Sequence, residues 1–146
     1  MALKLGDTIP EFSLPDQNGE LFSIKEVLGK KPFVLFFYPK NNTPGCTKEA
    51  CDFRDKYEDF SAKGVEVIGI SGDSVKSHHR FEEKYQLPYV LLSDNKNKVR
   101  KLFKIKSSLL LLPGRETYVV DKEGKIIMVF NSINASEHMK RALKAV

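Results

Sequence analysis

The sequence predicts an α/β fold: a central mixed sheet flanked by helices, with a β-hairpin added at the N-terminus. Three features carry that expectation. Residues 33–38 (FVLFFY) and 65–70 (VEVIGI) are β-rich apolar runs, an amphipathic helical stretch lies between them, and a hairpin signal follows near the C-terminus. A continuous apolar run is the pattern of a strand buried on both faces, and alternation with helices calls for parallel pairing with right-handed crossovers.

Taken in chain order, residues 12–14 and 21–23 flank Asp16, Gln17, Asn18 and Gly19, which read as a hairpin turn. The strand at 33–38 ends at Pro39. After the turn residues Asn41, Asn42, Pro44 and Gly45, residues 47–63 set Ala50, Phe53, Tyr57 and Phe60 at three- and four-residue spacing, a helix stopped by Gly64. The strand at 65–70 leads into Ser71, Gly72, Asp73 and Ser74, which supply a turn and an N-cap for a helix through Tyr85. A short strand is expected at 90–92 and a short helix at 95–103. Residues 116–120 and 125–130 flank Asp121, Lys122, Glu123 and Gly124, an antiparallel hairpin with Gly124 where the backbone needs positive φ. Residues 135–146 close the chain as a helix. This order of elements is that of a thioredoxin-like fold, here with an N-terminal hairpin, which does not by itself give function.

With 146 residues, no repeat and no low-complexity linker, residues 1–146 are expected to form one domain. The net charge of +5 arises from 24 basic and 19 acidic residues. No basic run exceeds two and no aromatic platform interleaves with them, so the charge reads as solvated surface and nucleic acid is not an expected partner. The first ten residues lack the apolar core of a secretory signal, and the longest apolar runs fall far short of the roughly 20 residues of a membrane span. No membrane association is expected. A location in the cytoplasm, or in an organelle matrix such as a plastid after removal of a transit peptide, follows. His78, His79 and His138 lack ligand spacing, and two cysteines do not close a zinc site, so no metal is expected. His78 and His79 read as exposed helix surface. Residues 109–112 (LLLL) read as core, with an apolar collar for organic substrates as the alternative. Residues 69–74 resemble a Gly-rich phosphate loop only loosely and read as a turn with an N-cap.

The chemistry concentrates at Cys46. It follows Thr43, Pro44 and Gly45 directly after a central strand, in the first turn of the next helix, where orphan N–H groups and the positive dipole end favour a thiolate. Lowering a thiol pKa from about 8.5 to about 6 raises its thiolate fraction at pH 7 only about thirtyfold. Ionisation alone is thus a modest catalyst, and fast chemistry needs further groups that stabilise developing charge. A lone buried Cys is more commonly a small hydrophobe. Cys51, five residues on, argues against that, and its spacing is not the C-x-x-C of a disulfide-exchange site.

Residues 39–51 (PKNNTPGCTKEAC) resemble the active-site segment of the peroxiredoxins, specifically the peroxiredoxin Q branch, also called bacterioferritin comigratory protein. The P-x-x-x-T-x-x-C core and a second Cys five residues later carry the resemblance. It extends through residues 69–74, 77–85, 87–89, 92–94 and 114–121. It implies a thiol-dependent peroxidase with Cys46 as peroxidatic and Cys51 as resolving residue. Thr43 would position the peroxide, Arg115 would lie beside the thiolate, Pro39 would shield the site, and Glu49 would be a nearby acidic group. Asn41 stands where relatives are often acidic.

The implied cycle takes hydrogen peroxide or an alkyl hydroperoxide to water or alcohol, leaving Cys46 sulfenic acid, which Cys51 converts to an intramolecular disulfide. Thioredoxin or a similar dithiol would return both thiols. No metal, haem, flavin or other cofactor is needed, and a monomer is expected because the cycle closes within one chain. Two other classes fit a Cys pair: a protein thiol-disulfide exchange enzyme, and a non-enzymatic redox sensor or holdase.

Overall fold

In the computed structural model, residues 3–105, 115–132 and 134–146 are described. The element order is β1 (Ser13–Pro15), β2 (Leu21–Ser23), β3 (Phe33–Phe37), α1 (Pro44–Asp55), α2 (Tyr57–Ala62), β4 (Glu66–Ser71), α3 (Val75–Tyr85), β5 (Val90–Ser93), α4 (Lys98–Leu102), β6 (Glu116–Val120), β7 (Ile126–Asn131) and α5 (Ala135–Ala145). Strands β1 and β2 form the expected N-terminal hairpin, and the other five form one sheet in the order β5-β4-β3-β6-β7. Strand β3 pairs parallel with β4 and antiparallel with β6, which makes the sheet mixed and puts β3 at its centre. This is a thioredoxin-like arrangement with an added hairpin.

The continuous apolar run of β3 has the consequence its pattern implies, because successive side chains feed opposite faces. Phe33, Leu35 and Phe37 join a core with Phe12, Leu14 and Ile24 of the N-terminal segment and Val99 and Phe103 around α4. Val34, Phe36 and Tyr38 join a second core with Cys46, Ala50 and Phe53 of α1, Phe60 of α2, Phe81 of α3 and Ala142 of α5. Gly69 on β4 makes room for this second core. A Cβ there would stand 2.8 Å from the Phe36 ring, which instead stacks on Phe53 with centroids 4.5 Å apart. The Phe36–Phe53 stack fastens α1 to the middle of the sheet.

Local chemistry explains the turns. Asp121 Oδ1 accepts from the backbone N–H groups of Glu123 and Lys125, and Gly124 takes φ 88°, closing the β6–β7 hairpin as expected. Ser74 caps α3 by accepting from the Ser77 N–H at 3.1 Å.

Two expectations need correction. The helix expected at 47–63 begins earlier, at Pro44, and breaks at Lys56, so that α1 and α2 are separate. Phe60 still packs on Phe53 at 5.8 Å, while Tyr57 donates to Glu66 Oε1. His78 is not surface. The face of α3 that carries Phe81 lies against the sheet and takes His78 with it, whereas His79, one residue on, points outward to Glu83 Oε1 at 2.6 Å. The run at residues 109–112, expected as core or as an apolar collar, lies outside the described residues. Among the described residues, no helix is long and apolar enough to cross a membrane.

Candidate active site

The site forms where the C-terminal end of β3 hands the chain to α1. Pro44 occupies the first helical position, where its missing N–H costs nothing, and Thr43 is the N-cap residue with extended backbone. Cys46 is therefore the third helical residue. Cys46 is 1% exposed, and its Sγ accepts from the Lys40 backbone N–H at 3.5 Å. Both cysteines are free thiols.

Arg115 reaches this place through strand pairing. Strand β6 runs antiparallel to β3 with Glu116 opposite Phe37, so Arg115, one residue earlier, stands beside the end of β3. Its Nη2 donates to Cys46 Sγ at 3.3 Å and its Nη1 donates to Glu49 Oε1. Cys46 and Glu49 are three residues apart on α1 and share a face, so one planar guanidinium spans both. Gly45 permits the approach, since a Cβ there would meet Arg115 Nη2 at 3.2 Å.

Glu49 is fully buried, and burial pushes its carboxyl up to about 8 against the opposing pull of Arg115. Its Oε2 makes no hydrogen bond among the described residues but lies 3.5 Å from Nδ1 of His138 on α5. His138 is also fully buried and is drawn down to about 4, mainly by desolvation. Its Nε2 stands 2.8 Å from the Ser132 carbonyl and its Nδ1 2.7 Å from Thr117 Oγ1.

The loop between β3 and α1 is held from behind by a second buried network. Tyr38 donates its hydroxyl proton to Asn41 Oδ1 at 2.6 Å, and the Asn41 backbone N–H donates to Asp73 Oδ2 at 2.9 Å. His78 Nε2 lies 3.0 Å from the Leu92 carbonyl and so carries the proton. Its Nδ1 then accepts from Asn41 Nδ2, also at 3.0 Å. Desolvation draws the His78 imidazole down, consistent with a neutral ring. Arg100, buried beneath the same loop, donates to the Tyr38 carbonyl at 3.2 Å.

The structure thus brings Cys46, Glu49 and Arg115 into contact. Thr43 is half-buried and its hydroxyl donates to the Lys40 carbonyl at 2.9 Å, which leaves its oxygen lone pairs free to accept from a ligand. Pro39 is half-buried in the same loop. Cys51 is half-buried further along α1, where burial raises its thiol above the usual range, Arg54 opposing. Asn41 belongs to the segment the resemblance picked out, whereas Thr117 and Arg100 were not singled out from the sequence, and His138 was considered only as a metal ligand. No local spacing ties these last three to Cys46. Among the described residues no cluster of three or more His, Cys, Asp or Glu has the arrangement to hold a metal ion.

Residues 5–129 match the AhpC/TSA family. A chloroplastic peroxiredoxin Q from Sedum lineare is 52% identical over 141 residues, covering 95% of this chain and 75% of the relative. Other plant relatives of the same description are about half identical, and this chain spans 64–66% of their length. The crystal structure of the peroxidoxin BcpB from Mycobacterium tuberculosis is 41% identical, superimposes with a TM-score of 0.91 and is matched over 98% of this chain and 96% of that one. A bacterioferritin comigratory protein from Xanthomonas campestris, whose trapped intermediate and ligand complexes concern alkyl peroxide reduction, is 28% identical with a TM-score of 0.86 over 95% of this chain and 96% of that one. With a buried thiol at a helix start, a guanidinium upon it and relatives of this kind over nearly its whole length, the chain belongs to the AhpC/TSA family, in its peroxiredoxin Q branch.

Proposed function

We propose that this chain is a thiol-dependent peroxidase in which Cys46 attacks hydrogen peroxide or an organic hydroperoxide and Cys51 resolves the product. The contact of Arg115 with Cys46 Sγ carries the reading. A guanidinium there stabilises the thiolate and has donors left for the peroxide oxygens. The thiolate sulfur forms an S–O bond to the terminal oxygen as the O–O bond breaks. The departing oxygen takes a proton and leaves as water or alcohol. Cys46 sulfenic acid then condenses with the Cys51 thiol, releasing water and forming the disulfide, which an external dithiol such as thioredoxin reduces.

Glu49 holds the Arg115 fork, Thr43 accepts the peroxide O–H, and Pro39 keeps water from the sulfur. Organic hydroperoxides are included because the Xanthomonas relative is described by alkyl peroxide reduction. A monomer is proposed because both thiols of the cycle lie in one chain. The cytoplasm or a plastid-type matrix is the proposed location, supported by the chloroplastic relatives.

Single-turnover oxidation with hydrogen peroxide and with an organic hydroperoxide, followed by thioredoxin recycling, tests the reading. Stoichiometric loss of both thiols and their return on adding thioredoxin are expected; thiols that persist under excess peroxide would overturn it. Arg115→Lys is expected to keep the fold but slow peroxide attack by about 10- to 100-fold, since an ammonium does not reproduce the planar fork. Stopped-flow rates within twofold of the parent would reduce Arg115 to a packing role.

A further inference from the structure

Resting on the peroxidase reading, a second buried pair stands behind the guanidinium. The Ser132 carbonyl oxygen only accepts, so His138 Nε2 carries a proton and donates to it. Nδ1 then faces two oxygens, Thr117 Oγ1 at 2.7 Å and Glu49 Oε2 at 3.5 Å. With Glu49 ionised and the ring neutral, the Thr117 hydroxyl can donate to Nδ1, but among the described residues the buried carboxylate oxygen Oε2 has no donor and faces the same lone pair. That arrangement is costly where neither group reaches water. One proton between Glu49 and His138 removes the conflict, whether it sits on Oε2 and points to Nδ1 or on Nδ1 and points to Oε2.

We propose that His138 is a positioning residue: it shares one proton with Glu49, keeping the pair neutral overall so that the charge of Arg115 is left to the Cys46 sulfur. Without that proton, two buried anions, Glu49 and the Cys46 thiolate, compete for one guanidinium. With it, one cation faces one anion. Among the described residues, Arg115 is the charged group hydrogen-bonded to the pair. From α1 the pair meets Glu49 itself, with Asp52 a turn further along; from the start of β6, Arg115 and the uncharged Thr117. From β7 it meets the Phe130 ring, 4.7 Å from the imidazole, with Arg141 stacked over that ring at 4.8 Å. Glu116, next to Arg115 in sequence, turns to Tyr118 and Asn131. The burial-driven rise of Glu49 and fall of His138 agree in direction with a proton residing on the carboxyl side of the pair at neutral pH.

The test uses the Cys51→Ser background, in which only the Cys46 step is observed, and measures the second-order rate with hydrogen peroxide from pH 6 to 9. His138→Leu removes the acceptor for the shared proton, so Glu49 ionises at lower pH. Its rate relative to the parent is expected to stay within about twofold at pH 6 and to fall about three- to tenfold by pH 8. His138→Gln, which keeps a carbonyl acceptor and an N–H for Ser132, should restore the ratio. In a Glu49→Gln background, His138→Leu should add no pH-dependent loss. A ratio constant across pH, or a pH-dependent loss that persists with Gln at 49, overturns the proposal. Should His138→Leu not fold, the parent still decides: its rate relative to Glu49→Gln must fall as Glu49 loses its proton above pH 8, and a constant ratio overturns the proposal. A parent that does not consume peroxide at all would instead overturn the peroxidase reading.

Discussion

Replacing Cys46 with Ser is expected to bring peroxide turnover down to the uncatalysed level, whereas Cys51→Ser should still consume about one equivalent before stalling. The asymmetry follows from where each thiol stands. Cys46 lies in the first turn of α1 under the Arg115 guanidinium and the Lys40 N–H, both of which favour negative charge on sulfur. A Ser hydroxyl occupies nearly the same volume there but does not ionise at neutral pH. Cys51 has neither contact, and burial holds its thiol above the usual range, so it remains protonated until a sulfenic acid is presented to it. Peroxide consumption with thioredoxin, alongside intact-mass measurement, checks both variants: Cys51→Ser should gain one oxygen and progress to higher oxides under excess peroxide. A folded Cys46→Ser protein turning over at the parent rate would remove the assignment.

Oxidation is expected to open the start of α1, with amide protection of residues 43–53 falling by about 10- to 100-fold while β3 keeps its own. Both cysteines belong to one continuous helix, Pro44–Asp55. Five residues of regular helix give a rise of about 7.5 Å and an offset of about 140°, placing the two Cα atoms about 8.7 Å apart on opposite-leaning faces. A disulfide tolerates about 4.4 to 6.8 Å. The intact helix and the disulfide therefore exclude each other.

Opening α1 has identifiable costs. It breaks the bond from the Tyr89 hydroxyl to the Ala50 carbonyl, 2.6 Å in the reduced protein, and it weakens the Phe36–Phe53 stack. Exposing a Phe side chain costs about 1.5 to 3 kcal/mol, which sets the expected loss of protection. Ala50 and Phe53, fully buried in the reduced form, would then be offered to the reductant as a surface that exists only when the disulfide does. Hydrogen exchange on both forms decides. Equal protection of residues 46–53 in each, with the disulfide confirmed by mass, would show that resolution proceeds without unwinding.

The strands were legible because their signal is local and redundant. Residues 33–38 and 65–70 have only one comfortable environment, and Asp121 with Gly124 allows little besides a tight turn. The helix at 47–63 was legible in its face but not in its continuity. A period of 3.6 is the same for one helix as for two that share a core, and the break at Lys56 is taken up by contacts of Tyr57 and Phe60 with residues of other elements. His78 misled for a related reason. A polar residue at a buried helical position looks solvent-facing until its partners, Asn41 and the Leu92 carbonyl, arrive from distant segments.

The sequence by itself determined that Cys46 stands in the first turn of a helix and that Cys51 follows on that helix at a spacing too long for a disulfide. Both are consequences of helical pitch and of Pro44 at a helix start, and they need no information from elsewhere in the chain. The family resemblance already pointed to Arg115 as the cation beside Cys46, but only the tertiary structure gives the route by which a residue 69 positions away reaches the sulfur, and the histidine from the last helix that closes the far side of Glu49. Those contacts depend on the register of β6 against β3 and on the docking of α5 against α1. Both are set by burying apolar side chains across the sheet, a long-range balance that no short window of residues contains.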